Sequence, residues 1–179
     1  MRIMSRIFKK GFYGGKFIPF HKGHAYCIEK AAEVCEELYV IMFFAGDDEV
    51  KAQKEVGEES DSPWYSPDYR SRKMKEYCEA MGGVKFFTID CRKIKKEAEE
   101  KGIGTWDAET PHVLEITGGF DAVFSSEEGY DEYFKRAYPN AEHVLIDVPR
   151  INVPISGTEI RKMDRKEGCT WLAPERRKL

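Results

Sequence analysis

Short apolar runs bounded by turn residues alternate along this chain with stretches of helical period, the pattern of a parallel sheet covered by helices. Gly11 to Phe17 is predicted as the first strand, and a helix is expected from about His21 to Glu37. Ala25, Ile28, Ala32 and Cys35 would share one face of that helix, at spacings of three and four. Leu38 to Phe44 is apolar throughout, as a central strand buried on both faces should be. Between Ala45 and Pro63 the pattern breaks. This segment is rich in acid, Gly and Ser, lacks a sustained apolar period, and reads as a loop whose length suggests a mobile or substrate-covering role.

A helix from Pro67 to Met81 and a strand from Val84 to Ile89 follow. Lys93 to Lys101 is so charged that it reads as a solvated helix face, ended by Gly102-Ile103-Gly104. Further helices are expected from about Ala108 to Thr117 and from Glu132 to Tyr138, leading to strands Ala122–Ser125 and His143–Asp147. The last helix should start near Ser156 as a short C-terminal tail. With no repeat and no linker, the whole of 1–179 is predicted as one doubly wound α/β domain of Rossmann-like type. Ligands are expected beyond the carboxyl ends of its strands, where the winding reverses.

Composition narrows the function classes. Charged residues make up 34% of the chain yet sum to only −3, so no overall basic field argues for nucleic acid, and any attraction for phosphate must be local. The five cysteines form no Cys-x-x-Cys pair, and their odd number argues against a complete disulfide framework; a reducing cytoplasm fits. Met1 to Arg6 has charge but no apolar stretch of signal-peptide length, and no window reaches transmembrane length. No membrane partner is therefore expected, while self-association into a homo-oligomer stays open.

Two stretches carry candidate chemistry. Gly15-Lys16-Phe17-Ile18-Pro19-Phe20-His21-Lys22-Gly23-His24 puts two imidazoles at a helix start, where backbone N–H groups and the helix dipole favour phosphate. Ile155-Ser156-Gly157-Thr158-Glu159-Ile160-Arg161 puts two hydroxyls and a guanidinium at a second helix start, about 130 positions later. Together they suggest a two-sided phosphate clamp. A zinc reading of His21, His24 and Cys27 is weak, since a zinc centre wants three or four protein ligands and neither His112 nor His143 offers a second paired motif. Ser156 serves as a helix cap on either reading.

This pair of motifs resembles the signature of the HxGH nucleotidyltransferase superfamily. Pro19-Phe20-His21-Lys22-Gly23-His24 and Ser156-Gly157-Thr158-Glu159-Ile160-Arg161 are similar to archaeal-type nicotinamide mononucleotide (NMN) adenylyltransferases. Phe124-Ser125-Ser126-Glu127, Val144-Leu145-Ile146-Asp147 and Arg150 look more like the transferase half of bacterial proteins that also carry a ribosylnicotinamide kinase. The kinase's Gly-x-x-x-x-Gly-Lys-Ser/Thr loop does not occur in the sequence, so a stand-alone transferase is expected.

The resemblance implies transfer of AMP from ATP to NMN, giving NAD and pyrophosphate, with Mg2+ carried on the ATP phosphates rather than in a protein cage. It implies that His21, His24, Lys16, Thr158 and Arg161 act in catalysis: the histidines on the triphosphate, with His24 the better candidate for the α-phosphate, Thr158 on the β- and γ-phosphates, and Arg161 on the leaving pyrophosphate. Gly15, Phe17, Gly23, Ser126, Ser156 and Gly157 would complete the ATP site. Trp106 would stack on nicotinamide, against the plainer reading of a core Trp, and Arg70, with Arg72 competing, matches an arginine that opens the equivalent helix in relatives. Lys22 divides evenly between site and surface.

Two departures stand out. Ile18 occupies the place of an Asp or Gln in related groups, and the segment 46–63 lacks the Ser- and His-containing stretch of the archaeal enzymes. Rival readings are another HxGH transferase acting on phosphopantetheine or on a small phosphorylated alcohol, and a nucleotide sensor without turnover. Arg150-Ile151-Asn152-Val153-Pro154 ahead of Ile155 disfavours the cytidylyltransferases, which carry Arg-Thr-x-Gly there.

Overall fold

The computed structural model describes residues 7–55, 63–148 and 150–176. Five parallel strands form one sheet: β1 (Phe8–Gly15), β2 (Cys35–Phe44), β3 (Val84–Asp90), β4 (Ala122–Ser125) and β5 (Glu142–Leu145), in the order β3-β2-β1-β4-β5. The chain winds outward from β1 to β3, then returns to the other side of β1 with β4, so the reversal falls beside the end of β1.

Alternation along the strands divides the core between two faces. Tyr13, Val40, Met42 and Phe124 point to one side, against Ile28 of α1 (Lys22–Val34) and Met74 of α3 (Pro67–Glu79). Their neighbours Phe12, Ile41, Phe43 and Val123 point to the other, against Ile94 of α4 (Cys91–Lys101) and Val113 of α5 (Thr105–Thr117). Leu38 to Phe43 is thus buried throughout, as its unbroken apolar run requires. Local signals set the helix ends. The Ser66 hydroxyl accepts from the Tyr69 N–H with Pro67 at the first helical position, Asp90 caps α4, and Gly102 closes α4 in the left-handed region at φ 64°.

Several boundaries differ from the expectation. β1 starts three residues earlier and ends at Gly15; β2 starts at Cys35, shortening the first helix; and α5 starts at Thr105, which carries Trp106 into its first turn. α4 is solvated only in part, because Cys91, Ile94 and Ala98 are buried. α6 spans Asp131–Ala137, and the tail holds α7 (Gly157–Lys162) and α8 (Arg165–Gly168).

The expected loop after β2 is the main correction: its first part is a helix, α2 (Gly46–Glu55). Glu49 and Ala52 are its buried residues, and polar contacts hold it in place, Glu49 pairing with Arg70 at 2.8 Å and Glu55 with Arg161 at 2.7 Å. Residues 56–62 of the expected loop, and the opening residues 1–6, lie outside the described residues. Among the described residues no helix is long and apolar enough to cross a membrane.

Candidate active site

A cavity of about 450 Å³ opens at the carboxyl ends of β1 and β4, where the winding reverses. Gly15, Lys16, Phe17, His21, Gly23, His24, Ser126 and Trp106, all singled out in the sequence, line it.

The turn from β1 into α1 is tightly specified. Phe17 holds φ at 55°, uncommon for a residue with a Cβ, and its buried ring meets His24 edge-on at 4.8 Å. Ile18–Pro19 is a cis peptide. His21 then caps α1: its Nδ1 accepts from the Gly23 N–H at 3.0 Å, while His24 Nδ1 accepts from the His21 N–H at 3.3 Å. Those two bonds fix the tautomers. A ring nitrogen that accepts carries no proton, so in each neutral imidazole the hydrogen sits on Nε2, as a donor. The rings stack with centroids 3.6 Å apart, and His21 Nε2 is buried without a hydrogen-bond partner among the described residues.

Neutrality is also what the surroundings enforce. Burial, then the nearby charges of Arg150 and Arg161, lowers His21 to about 3. Burial, then His21 and Arg150, holds His24 well below the ordinary imidazole range. Gly23 is required here because a Cβ would stand 2.8 Å from His21 Cε1.

The second motif lies behind this turn. Ser156 caps α7 through the Glu159 N–H, and a Cβ on Gly157 would meet the Ile18 carbonyl oxygen at 2.7 Å. Arg161 donates to Ile18 O at 2.6 Å, to Glu55 at 2.7 Å and to Thr158 Oγ1 at 3.2 Å. Ser156, Gly157, Thr158 and Arg161 are absent from the cavity wall, so in this geometry the second motif braces the turn that carries the histidines.

Arg70 is the clearest correction. It was expected at the substrate, but it is fully buried, donating to Glu49 Oε1 at 2.8 Å and to the Tyr65 carbonyl, away from the cavity that holds the histidines. Ile18 packs on Tyr65 and Ala52 beside that pair, so the departure from a polar residue at this place is matched by an apolar support. Lys16 lines the cavity and pairs with Asp48 at 2.7 Å, whereas Lys22 lies over the Trp171 ring, outside the cavity. Trp106 is 47% exposed, which excludes the core reading, and its ring sits 5.1 Å from Tyr130 and 5.2 Å from Tyr133.

Sequence reasoning gave no site role to two residues. Arg150 lines the cavity with φ at 69°, donating to Ile155 O at 2.9 Å and Glu127 at 3.1 Å, and its charge acts on His21 more strongly than that of Arg161. His143 joins Ser125 Oγ at 2.6 Å to Asp131 at 3.1 Å, fixing the β4 turn that presents Ser126. Neither position has local spacing that marks it.

The model of a protein family described as cytidylyltransferase-like matches residues 12–163. A nicotinamide-nucleotide adenylyltransferase of Methanocorpusculum labreanum is 26% identical over 156 residues, covering 86% of this chain and 78% of that protein. The trifunctional NAD biosynthesis/regulator protein NadR of Escherichia coli is 27% identical over 164 residues, covering 85% of this chain but only 36% of NadR. Among solved structures, NadR in complex with NR superposes with a TM-score of 0.63 at 19% identity, covering 92% of this chain and 42% of that one. At that identity the likeness shows the fold.

Proposed function

We propose that this chain, which belongs to the cytidylyltransferase-like family of nucleotidyltransferases, transfers AMP from ATP to NMN, forming NAD and releasing pyrophosphate. One relative named as a nicotinamide-nucleotide adenylyltransferase and one named as an NAD biosynthesis/regulator protein support that choice of acceptor. The observation that carries the chemistry is the pair of stacked imidazoles whose Nδ1 atoms accept from backbone N–H groups, leaving the buried Nε2 of His21 without a partner among the described residues.

A phosphate oxygen of NMN is ionised at neutral pH, so it attacks the α-phosphorus without a general base, and pyrophosphate leaves in line. Catalysis then rests on alignment and on donors aimed at charge that grows on the transferring group. Two Nε2–H donors, preset as neutral, meet that need without reorganising. Arg150 and Lys16 line the same cavity as cations. Thr158 and Arg161 act in this reading by fixing the turn, and by contact with the β- and γ-phosphates once ATP fills it.

Magnesium fits as a companion of the triphosphate: among the described residues no three His, Cys, Asp or Glu side chains gather into a metal cage, and when bound it would neutralise phosphate charge. The test is a panel of phosphorylated acceptors given with ATP and magnesium and scored by pyrophosphate release. NMN is expected to lead; phosphopantetheine or a small alcohol phosphate taking its place would overturn the reading, and ATP binding without turnover would favour the sensor.

A further inference from the structure

Among the ionisable residues of the cavity that phosphate chemistry leaves unused is Glu109. Glu109 stands three positions after Trp106 on α5, so indole and carboxyl leave neighbouring points of one helix face, and both line the cavity with Tyr130, Tyr133 and Tyr138. Little compensates this carboxyl. Its hydrogen-bond contact among the described residues is the Cys91 thiol at 3.9 Å, and the Lys16 ammonium is already engaged by Asp48 at 2.7 Å. A carboxyl among aromatic rings, with no cation of its own, is a costly arrangement that a flat cationic ligand would relieve.

We propose, resting on the reading of the acceptor as a pyridine mononucleotide, that Glu109 determines specificity by accepting a ring that carries positive charge and a neutral carboxamide, and by rejecting the same ring when it carries a carboxylate. The nicotinamide of NMN is a pyridinium whose amide nitrogen donates two hydrogens, suited to a carboxylate. Nicotinate mononucleotide brings a second negative group into the same space, and like charges in a desolvated site disfavour it.

Burial pushes the Glu109 carboxyl up to about 7, with Lys16 and the Cys91 thiol acting in the opposite direction. Facing it are Lys16 from the turn after β1, Cys91 from the start of α4, and Tyr133 and Tyr138 from and just beyond α6, with Asp48 of α2 reached through Lys16. Preference for NMN should therefore strengthen as pH rises through that range and the carboxyl loses its proton. Below it, a protonated Glu109 can donate to the nicotinate carboxylate, and the preference shrinks.

The experiment gives wild type and Glu109→Gln an equimolar mixture of NMN and nicotinate mononucleotide with ATP and magnesium, and counts both dinucleotide products at about pH 6 and about pH 8. Wild type should favour NMN, more so at the higher pH, and the variant should lose about tenfold or more of that ratio and become insensitive to pH. A ratio unchanged in the variant, or a wild-type preference for the acid, overturns the proposal while leaving NMN adenylylation standing. If neither mononucleotide is consumed, the functional reading falls and this one with it. Should Glu109→Gln fail to fold, the pH dependence of the wild-type ratio decides alone, a flat profile overturning the assignment.

Discussion

Arg161 Nη1 donates to the carbonyl oxygen of Ile18 at 2.6 Å, across 143 positions of the chain. The two motifs that stand so far apart in sequence are therefore one physical unit: a guanidinium from α7 holds the turn that presents His21 and His24, and Gly157 permits the approach by lacking a Cβ. Its Nε reaches Glu55, fastening α2 to the same point.

Arg161→Lys tests that bracing role. A lysine keeps the charge but cannot hold three acceptors in a planar fork. Stability should fall by about 1.5–3 kcal/mol, as for lost hydrogen bonds to a charged group, and turnover should fall with it. Denaturant unfolding beside steady-state kinetics checks this; wild-type stability with reduced turnover would assign Arg161 to phosphate alone.

His24→Ala removes one preset Nε2–H donor and should lower kcat about a hundredfold or more. Circular dichroism and melting temperature would report whether the stacked pair also supports the fold. Turnover near that of wild type would take His24 out of the mechanism.

Acid should destabilise the protein through His21. Its folded value of about 3 lies below the ordinary imidazole value, so the unfolded chain binds a proton between the two that the native state refuses. Stability should thus decline as pH falls from about 6.5 toward the folded value, with Asn in place of His21 flattening part of the slope. Urea midpoints across that window measure it. Above about pH 8 His21 is uncharged in both states and contributes no slope.

Glu49→Gln should cost about 3–5 kcal/mol, because Arg70, fully buried, would be left without its carboxylate. Replacing both partners by apolar residues should restore much of that loss. Acceptor and ATP Michaelis constants in the double variant, if near those of wild type, would settle Arg70 as structural; a large rise in either would return it to the site.

Trp106→Ala should raise the Michaelis constant for NMN by roughly 2- to 30-fold and leave that for ATP nearly unchanged, since stacking on a cationic ring contributes about 0.5–2 kcal/mol and touches one substrate. With the indole 47% exposed, the melting temperature should barely move. Equal shifts for both substrates would place Trp106 elsewhere in the mechanism.

The sheet and the histidine turn were legible because each rests on local chemistry: unbroken apolar runs at Leu38–Phe43 and Ala122–Phe124, a cap at Ser156, and imidazoles flanking a glycine. α2 was not legible. Its order comes from ion pairs to Lys16, Arg70 and Arg161, residues that lie 30 or more positions away or belong to other elements, while its own sequence has no apolar stripe. Arg70 misled for the same reason, since an arginine opening a helix looks identical whether it faces a ligand or a buried glutamate. The relay from Asp131 through His143 to Ser125 needs β5 laid beside β4, which spacing alone does not reveal.

The contact of Trp106 with Tyr130 and Tyr133 joins α5 to the segment that opens α6, and none of these three residues belongs to the histidine turn. On the proposed reading, acceptor choice rests mainly on α5 and phosphate handling on the turn after β1, two separate passages of the sequence. A lineage can revise the vocabulary of one while the other is read unchanged, and a chimaera exchanging α5 (Thr105–Thr117) between relatives should swap appetite for the acceptor and keep the nucleotide donor.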